Sequence, residues 1–199
     1  MSDSDITAAV AAIRRGDLVV YPTETVYGLG ANALDPEAIE RVFKAKGRSL
    51  DQPISMALPE LSAAAEYTRM TDLERAFCQR FLPGPVTVLV ERTDRIPDVL
   101  VDGRARVGIR VPDHDLAREL ARRTGPITAT SANRSGEPSA RRVEEIDHAV
   151  RESAVVLDGG ETPGGESTVV DVSAGRIVRR GELADEIETW LSERSERKS

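Results

Sequence analysis

The segment "VVYPTETVYGLGANA", residues 19–33, begins as an apolar strand and continues into a densely polar loop. This loop carries the hydroxyl groups of Thr23, Thr25 and Tyr27 and the carboxylate of Glu24, and two glycines follow. An ordinary connection between two elements needs only a few turn-forming residues. Because loops that leave a strand end often carry function, this concentration of hydrogen-bonding groups indicates a binding site.

Apolar periodicity and end signals place strands and helices in alternation along the rest of the chain. We predict strands over 18–21, 53–58, 83–92, 105–113, 126–133 and 154–160, and a hairpin over 167–181 that turns at residues 174–175. We predict helices over 4–17, 35–47, 59–66, 71–82, 114–125, 139–150 and 182–199. Several connections resemble hairpins, so the fold class is α/β, with a twisted sheet of mixed parallel and antiparallel strands and flanking helices.

The length fits a single domain over residues 1–199, with a core over about 6–181 and a C-terminal helix and charged tail over 182–199.

The strand 105–113 alternates strictly, with apolar side chains facing one way and small or charged residues the other: Val107, Ile109 and Val111 against Arg106, Gly108 and Arg110. In the helix 35–47, Asp35 suits the N-cap, Pro36 the first turn and Gly47 the end.

Composition excludes several classes of protein and site. The net charge of −7 excludes a uniformly basic nucleic-acid binder, although it permits a local basic patch. The single cysteine, Cys78, excludes an internal disulfide. It lies in a segment where Leu73, Phe77 and Phe81 repeat at helical spacing, so we predict that it packs rather than reacts. His114 and His148 are isolated, which disfavours a histidine metal site. No apolar run approaches a membrane span or a signal peptide, so we expect a soluble, cytoplasmic protein.

Three polar loops each follow a short apolar strand: "PTETVYGLG", "ATSANRSGEPS" and "DGGETPGGES". Donors suited to oxyanions accompany them: Lys46, Arg48, Arg110, Ser131, Asn133, Ser139, Arg179 and Arg180. These donors indicate a small anionic ligand, such as a nucleoside phosphate. Because the chain has no Walker-type or dinucleotide fingerprint, we infer that side chains hold this ligand. The alternative is that individual residues such as Ser131 or Asn133 only cap helices and turns.

Six motifs occur in order and together resemble the YrdC family of threonylcarbamoyl-AMP synthases. They are "YPTETVYGLGANA", Lys46-Gly47-Arg48, "PGPVTVLV", "VGIRVP", Ser131-Ala132-Asn133 and "ESTVVD", and the similarity runs from about residue 6 to about residue 181. Many relatives have a proline after the K-x-R arginine and a histidine a little further on, where this chain has Ser49 and no histidine. The chain looks like the short type that contains only the catalytic domain.

The resemblance implies a nucleotidyltransferase that converts L-threonine, bicarbonate and ATP, carried with Mg²⁺, into threonylcarbamoyl-AMP and pyrophosphate. The product serves the N6-threonylcarbamoyladenosine modification of tRNA, through a downstream threonylcarbamoyl transferase. Carried over by position, Thr25, Arg110 and Ser167 would bind threonine. Lys46 and Arg48 would be catalytic and contact the phosphates, and the nucleotide side would include Thr87, Ser131, Asn133, Ser139 and Arg179. No protein-held metal site and no membrane contact are expected.

Two other functions remain compatible with the sequence. One is a module that binds double-stranded RNA or tRNA, or associates with ribosomes, without synthase activity; a concave basic face would suit shape-based RNA contacts. The other is a paralogue that forms carbamoyl-adenylate from carbamoyl phosphate. Strong, salt-sensitive RNA affinity without ATP consumption would indicate the first function, and dependence on threonine distinguishes the second from the synthase.

Overall fold

The computed structural model describes residues 3–196. The α-helices are α1 (Asp3–Arg14), α2 (Pro36–Lys46), α3 (Asp72–Phe81), α4 (Asp98–Val101), α5 (Asp115–Thr124), α6 (His148–Glu152) and α7 (Ala184–Glu196). The strands are β1 (Leu18–Tyr21), β2 (Gly28–Gly30), β3 (Ser55–Ala57), β4 (Thr68–Arg69), β5 (Val86–Arg92), β6 (Arg106–Arg110), β7 (Ile127–Ser131), β8 (Ala154–Val156), β9 (Thr168–Asp171) and β10 (Arg176–Arg179). The last three residues of the predicted charged tail lie outside the described residues.

The ten strands form one sheet of mixed direction, which confirms the predicted fold class. Its strand order is β10-β9-β5-β6-β3-β7-β2-β1-β8, and β4 pairs with the outer part of β5. Parallel pairs join β1 to β8, β3 to β6 and β5 to β9, and the other pairs are antiparallel. The long strands β5 and β6 lie next to each other near the middle of this order.

Each face of the sheet packs against a different set of helices. On one face, the valines of β5 and β6 join apolar side chains of α2, α3, α4 and α7 in the larger hydrophobic core. On the other face, α1 and α5 pack over Tyr21 of β1 and Ile127 of β7 in a smaller core. The helices α1 and α5 of this second core cover the part of the sheet that contains β1 and β7. They leave another part of the second face uncovered.

The predicted ends of α2 are confirmed in detail. The Asp35 carboxylate accepts hydrogen bonds from the backbone N–H groups of Glu37 and Ala38, and Pro36 occupies the first turn. Gly47 ends the helix in the left-handed conformation with φ of 58°. The glycine therefore fixes where the chain turns away from the helix, immediately after Lys46.

Several parts of the chain differ from the sequence-based expectation, including the short elements β4 and α4, which the sequence patterns do not indicate. The glycine-rich end of the opening loop forms β2, because Gly28 and Gly30 lie directly on the Tyr21 ring, where an added Cβ would come within 2.8 and 2.9 Å of it. Residues 139–150 contain only a 3₁₀ turn and the start of α6, since the Asp147 side chain caps a new helix there. Residues 61–66 form a 3₁₀ helix rather than an α-helix.

Helix α7 belongs to the main core. Trp190 is only 7% exposed and meets the ring of Phe77 edge-on at 5.0 Å and that of Phe81 at 6.3 Å. The guanidinium of Arg194 lies 3.7 Å from the centre of the Trp190 ring. Cys78 is fully buried on the same helix as Phe77, and burial raises the pKa of its thiol to about 12, in agreement with a packing role. Within residues 3–196, no helix combines the length and apolar character needed to cross a membrane.

We expect Trp190→Ala to lower the free energy of unfolding by about 3–5 kcal/mol, because it removes a large buried aromatic side chain that packs against two others. Glu186→Ala changes an exposed residue of the same helix and should stay within about 0.5 kcal/mol of the wild type. Chemical denaturation measures both. A cost below about 1 kcal/mol for Trp190→Ala would mean that α7 is a loosely attached appendage.

Candidate active site

The uncovered part of the second sheet face forms a cavity of about 580 Å³. Its floor comes from alternate residues of neighbouring strands, since residues directly opposed in a sheet project to the same face. Leu89 of β5 pairs with Gly108 of β6, and both line the cavity. The same alternation places Arg106 and Arg110 on this face while Ile109 and Val107 enter the core.

Eight of the ten predicted site residues line this single cavity, although they come from widely separated parts of the sequence. They are Thr25, Arg48, Thr87, Arg110, Ser131, Ser139, Ser167 and Arg179. The three polar loops therefore meet at one place. Lys46 and Asn133 do not line the cavity and lie next to it.

The opening loop is held against β6 by Arg110. Arg110 Nη2 donates to Thr25 Oγ1 at 3.0 Å, and the same nitrogen lies 2.8 Å from Glu24 Oε1. The Arg110 and Glu24 side chains are only 11% and 13% exposed, so this charge pair is largely removed from water. If the guanidinium of Arg110 turned away, a buried charge would be left uncompensated, which is energetically costly. Glu24 therefore restrains the direction of the Arg110 guanidinium.

The sequence analysis names Glu24 among the polar residues of the opening loop but assigns it no specific role. Its contact with Arg110 is an ion pair without hydrogen-bond alignment, because neither carboxylate oxygen has a hydrogen-bond partner among the described residues. Burial lowers the pKa of His114, and the charge of Glu24 acts in the opposite direction.

The loop "DGGETPGGES" packs directly onto the opening loop. The hydroxyl of Tyr27 accepts from the Gly159 N–H at 3.0 Å and donates to the Gly160 carbonyl at 2.7 Å. Further along, the Gly164 N–H donates to the Thr25 carbonyl at 2.7 Å. The buried tyrosine thus connects two loops more than 130 residues apart, a role that local sequence patterns do not reveal.

A second basic group stands on β10. Arg179 Nη2 donates to the Ser167 carbonyl at 2.8 Å and to its hydroxyl at 2.9 Å. The Ser167 hydroxyl lies 3.5 Å from Thr87 Oγ1 on the sheet floor. The Arg179 side chain is half exposed, and its carboxylate neighbour Glu166 is 3.9 Å away, so its charge is only weakly neutralised.

Arg48 faces the same cavity with its guanidinium held by backbone carbonyls. Nε donates to the Gln52 carbonyl at 3.0 Å and Nη2 to the Pro53 carbonyl at 3.1 Å. Burial and the nearby charge of Arg179 both lower the pKa of Arg48. Two like charges that face one cavity repel each other, and an anion between them would relieve this repulsion.

Lys46 lies beside the cavity and contacts the loop that follows β7. Its Nζ donates to the carbonyls of Ser131 at 2.5 Å and Asn133 at 2.6 Å, and only 2% of the residue is exposed. Burial, with a smaller effect of Arg48, lowers the pKa of Lys46 to about 8. The Lys46 carbonyl also accepts from the Ser135 N–H. Both ends of this residue therefore hold the 131–135 loop in place.

Asn133 belongs to a second cavity of about 640 Å³, which shares Ser139 with the first. Its amide donates to the carbonyls of Arg134 and Glu137, at 2.8 and 2.6 Å. Its Oδ1 has no hydrogen-bond partner among the described residues. Over the same part of the chain, no group of three or more histidine, cysteine, aspartate or glutamate side chains is placed to hold a metal ion.

Comparison with known proteins places this site in a family. The family model Sua5_yciO_yrdC, described as "Telomere recombination", matches residues 11–181. The threonylcarbamoyl-AMP synthase of Pyrococcus abyssi is 38% identical over 195 residues, which cover 94% of this chain and 57% of that protein. The enzyme of the same name from Bacillus subtilis is 38% identical over 174 residues, covering 85% and 50%.

The crystal structure of P. abyssi Sua5 complexed with L-threonine is similar to this chain over almost its whole length. The TM-score is 0.86 at 38% sequence identity, and the match covers 95% of this chain and 58% of that one. The chain therefore spans only between half and three fifths of the length of these relatives.

We expect Gly108→Ala to destabilise the protein by about 1–3 kcal/mol and to obstruct the cavity floor. The added Cβ would overlap Ser55 Oγ and lie 2.9 Å from Thr87 Cγ2. Removing the hydroxyl in the double variant Gly108→Ala/Ser55→Ala should recover part of this loss, with Ser55→Ala alone as the control. Denaturation curves test the series, and wild-type stability in Gly108→Ala would contradict the tight packing of β3, β5 and β6.

Proposed function

Because the chain belongs to the Sua5/YciO/YrdC family, we propose that it is an L-threonylcarbamoyladenylate synthase. Its substrates are L-threonine, bicarbonate and ATP, and its products are threonylcarbamoyl-AMP and pyrophosphate. One observation carries the proposal: a single cavity contains both the Arg110–Thr25 pair and the facing arginines Arg48 and Arg179. The similarity to a threonine-bound structure supports the assignment of the first pair to the amino acid.

The amino acid binds at the opening loop. The carboxylate of threonine pairs with Arg110, whose guanidinium is already restrained by Glu24. Thr25 and Ser167 supply hydroxyl groups for the polar groups of the ligand. A site that hydrogen-bonds a hydroxyl group rejects analogues lacking it much more strongly than an apolar pocket does.

The nucleotide phosphates bind between Arg48 and Arg179, and Thr87, Ser131 and Ser139 complete that part of the wall. Lys46 adds a positive charge behind the wall and keeps the 131–135 loop in shape. Mg²⁺ arrives with ATP as part of the substrate and reduces the charge of its phosphates. Asn133 contributes from the adjoining cavity.

The chemistry requires positioning more than a covalent intermediate. The neutral amine of threonine attacks the carbon of bicarbonate or carbon dioxide and becomes an N-carboxylate. With bicarbonate, water leaves; with carbon dioxide, the amine loses a proton to solvent. An oxygen of this carboxylate then attacks the α-phosphorus, and pyrophosphate leaves. Both reactants of the second step are anionic, so Arg48, Arg179 and Lys46 stabilise the developing charge by electrostatic preorganisation. A downstream transferase would use the adenylate to modify tRNA.

The direct test is pyrophosphate release from ATP, with each of threonine and bicarbonate omitted in turn and with carbamoyl phosphate offered instead. We expect release only with all three substrates, and detection of threonylcarbamoyl-AMP by mass spectrometry. Turnover with carbamoyl phosphate and without threonine would indicate the carbamoyl-adenylate reaction instead. ATP-independent, salt-sensitive binding of double-stranded RNA with no turnover would indicate the RNA-binding module.

Two arginines of β10 provide a matched pair of variants. Arg179→Ala should weaken ATP binding by about tenfold or more, because it removes one of the two arginines between which we propose that the phosphates bind. Arg176→Ala removes an exposed arginine from the other end of the same strand and should bind ATP normally. Equal effects of the two variants would mean that only the general positive charge of β10 matters.

The depressed pKa of Lys46 predicts a pH dependence of nucleotide binding. Lys46 is protonated below about pH 8 and loses its charge as the pH rises through that value. ATP affinity should therefore fall by about five- to tenfold across this range. Lys46→Met should bind weakly with little change over the same range, and Lys44→Met, an exposed neighbour, should behave like the wild type. Retention of the wild-type decline in Lys46→Met would assign the titration to another group.

A further inference from the structure

A chain of hydrogen bonds runs from β6 into the opening loop. Arg110 Nη2 donates to Thr25 Oγ1 at 3.0 Å, and Thr25 Oγ1 lies 3.0 Å from Thr23 Oγ1. Thr23 Oγ1 donates to the Val26 carbonyl at 2.7 Å and accepts from the Thr25 N–H at 3.2 Å. Both threonines line the cavity, yet they are only 4% and 1% exposed.

The direction of this chain is fixed by counting protons. A hydroxyl group has one proton and two lone pairs, and a carbonyl oxygen can only accept. The proton of Thr23 is therefore used by the Val26 carbonyl, so the proton between the two threonines belongs to Thr25. Thr23 then accepts from both the N–H and the hydroxyl of Thr25, and it has no hydrogen-bonding capacity left for a ligand.

Thr25 is left with one free lone pair. Its proton is directed at Thr23, and Arg110 occupies its other lone pair. The backbone cannot easily relax this arrangement, because the Thr25 carbonyl accepts from the Gly164 N–H and its own N–H is bound by Thr23. Both side chains are β-branched, which also restricts their rotation.

From this geometry we infer that Thr23 is a positioning residue that makes Thr25 an acceptor only, so that Thr25 selects a hydrogen-bond donor on the bound amino acid. The inference rests on the proposed function and specifies that the ligand donates, and Thr25 accepts, the hydrogen bond between them. The donor is the hydroxyl or the amino group of threonine. A ligand with only an acceptor at that place would face a lone pair and leave a buried polar group unpaired.

Calorimetric titration of the full chain with three ligands tests this inference. The ligands are L-threonine, L-2-aminobutyrate, which lacks the hydroxyl, and (R)-3-hydroxybutyrate, which lacks the amino group. In Thr23→Val the Thr25 hydroxyl is free to rotate, so L-threonine should bind about tenfold more weakly. The analogue that lacks the selected donor should bind Thr23→Val and the wild type equally, within about twofold. Thr23→Ser keeps the relay oxygen and should restore wild-type behaviour.

Two results would overturn the inference: an equal loss for all three ligands in Thr23→Val, which a purely structural defect would give, or no loss for any of them. Neutron diffraction of the unliganded wild type provides a second, independent readout. The deuteron of Thr25 should lie on the line to Thr23 Oγ1, and a deuteron directed into the cavity would contradict the relay. If wild-type protein binds no threonine, the proposed function fails and the deuteron position alone decides the relay.

Discussion

The central strand β6 has to satisfy two different environments at once, and the rest of the site depends on how it does so. Val107 and Ile109 are buried in the main core, while Arg106, Gly108 and Arg110 face the cavity. Because side chains alternate along a strand, the core fixes where the arginines point. Gly108 keeps the floor low between them, since a Cβ there would collide with β3 and β5. A shift of register by one residue would bury the charges and expose the valines.

The distribution of charge in this acidic protein is compatible with the proposed anionic substrates. The chain carries a net charge of −7, yet Arg48 faces the cavity with no ion-pair partner among the described residues, and Arg179 has only Glu166 at 3.9 Å. Lys46 lies just behind. Arg110 differs because Glu24 neutralises it locally. This difference suits a division of labour in which Arg110 orients a small zwitterion and the less neutralised arginines attract phosphates.

Local sequence patterns indicated the mixed sheet, the ends of α2 and most of the predicted residues of the cavity wall, whereas Thr87 and Ser167 followed only from the resemblance to the family. They did not indicate β2, whose Gly-Leu-Gly sequence is unfavourable for a strand. The strand is stabilised by pairing with β1 and β7 and by close packing of its glycines on Tyr21. The sequence patterns also gave no specific role to Glu24, Thr23 or the Tyr27 hydroxyl. The partners of Glu24 and Tyr27 lie on distant parts of the chain, and the role of Thr23 depends on which hydroxyl group donates its proton. The side-chain direction of Lys46 depends on a loop 85 residues away, so only the fold reveals it.

The central claim is that one open sheet face binds an amino acid and a nucleotide side by side. Its most direct test is a crystal structure of the protein with L-threonine and a non-hydrolysable ATP analogue. We expect the threonine carboxylate on Arg110 and the phosphates between Arg48 and Arg179. Ligand density confined to the second cavity, beside Asn133 and Glu137, would contradict the account.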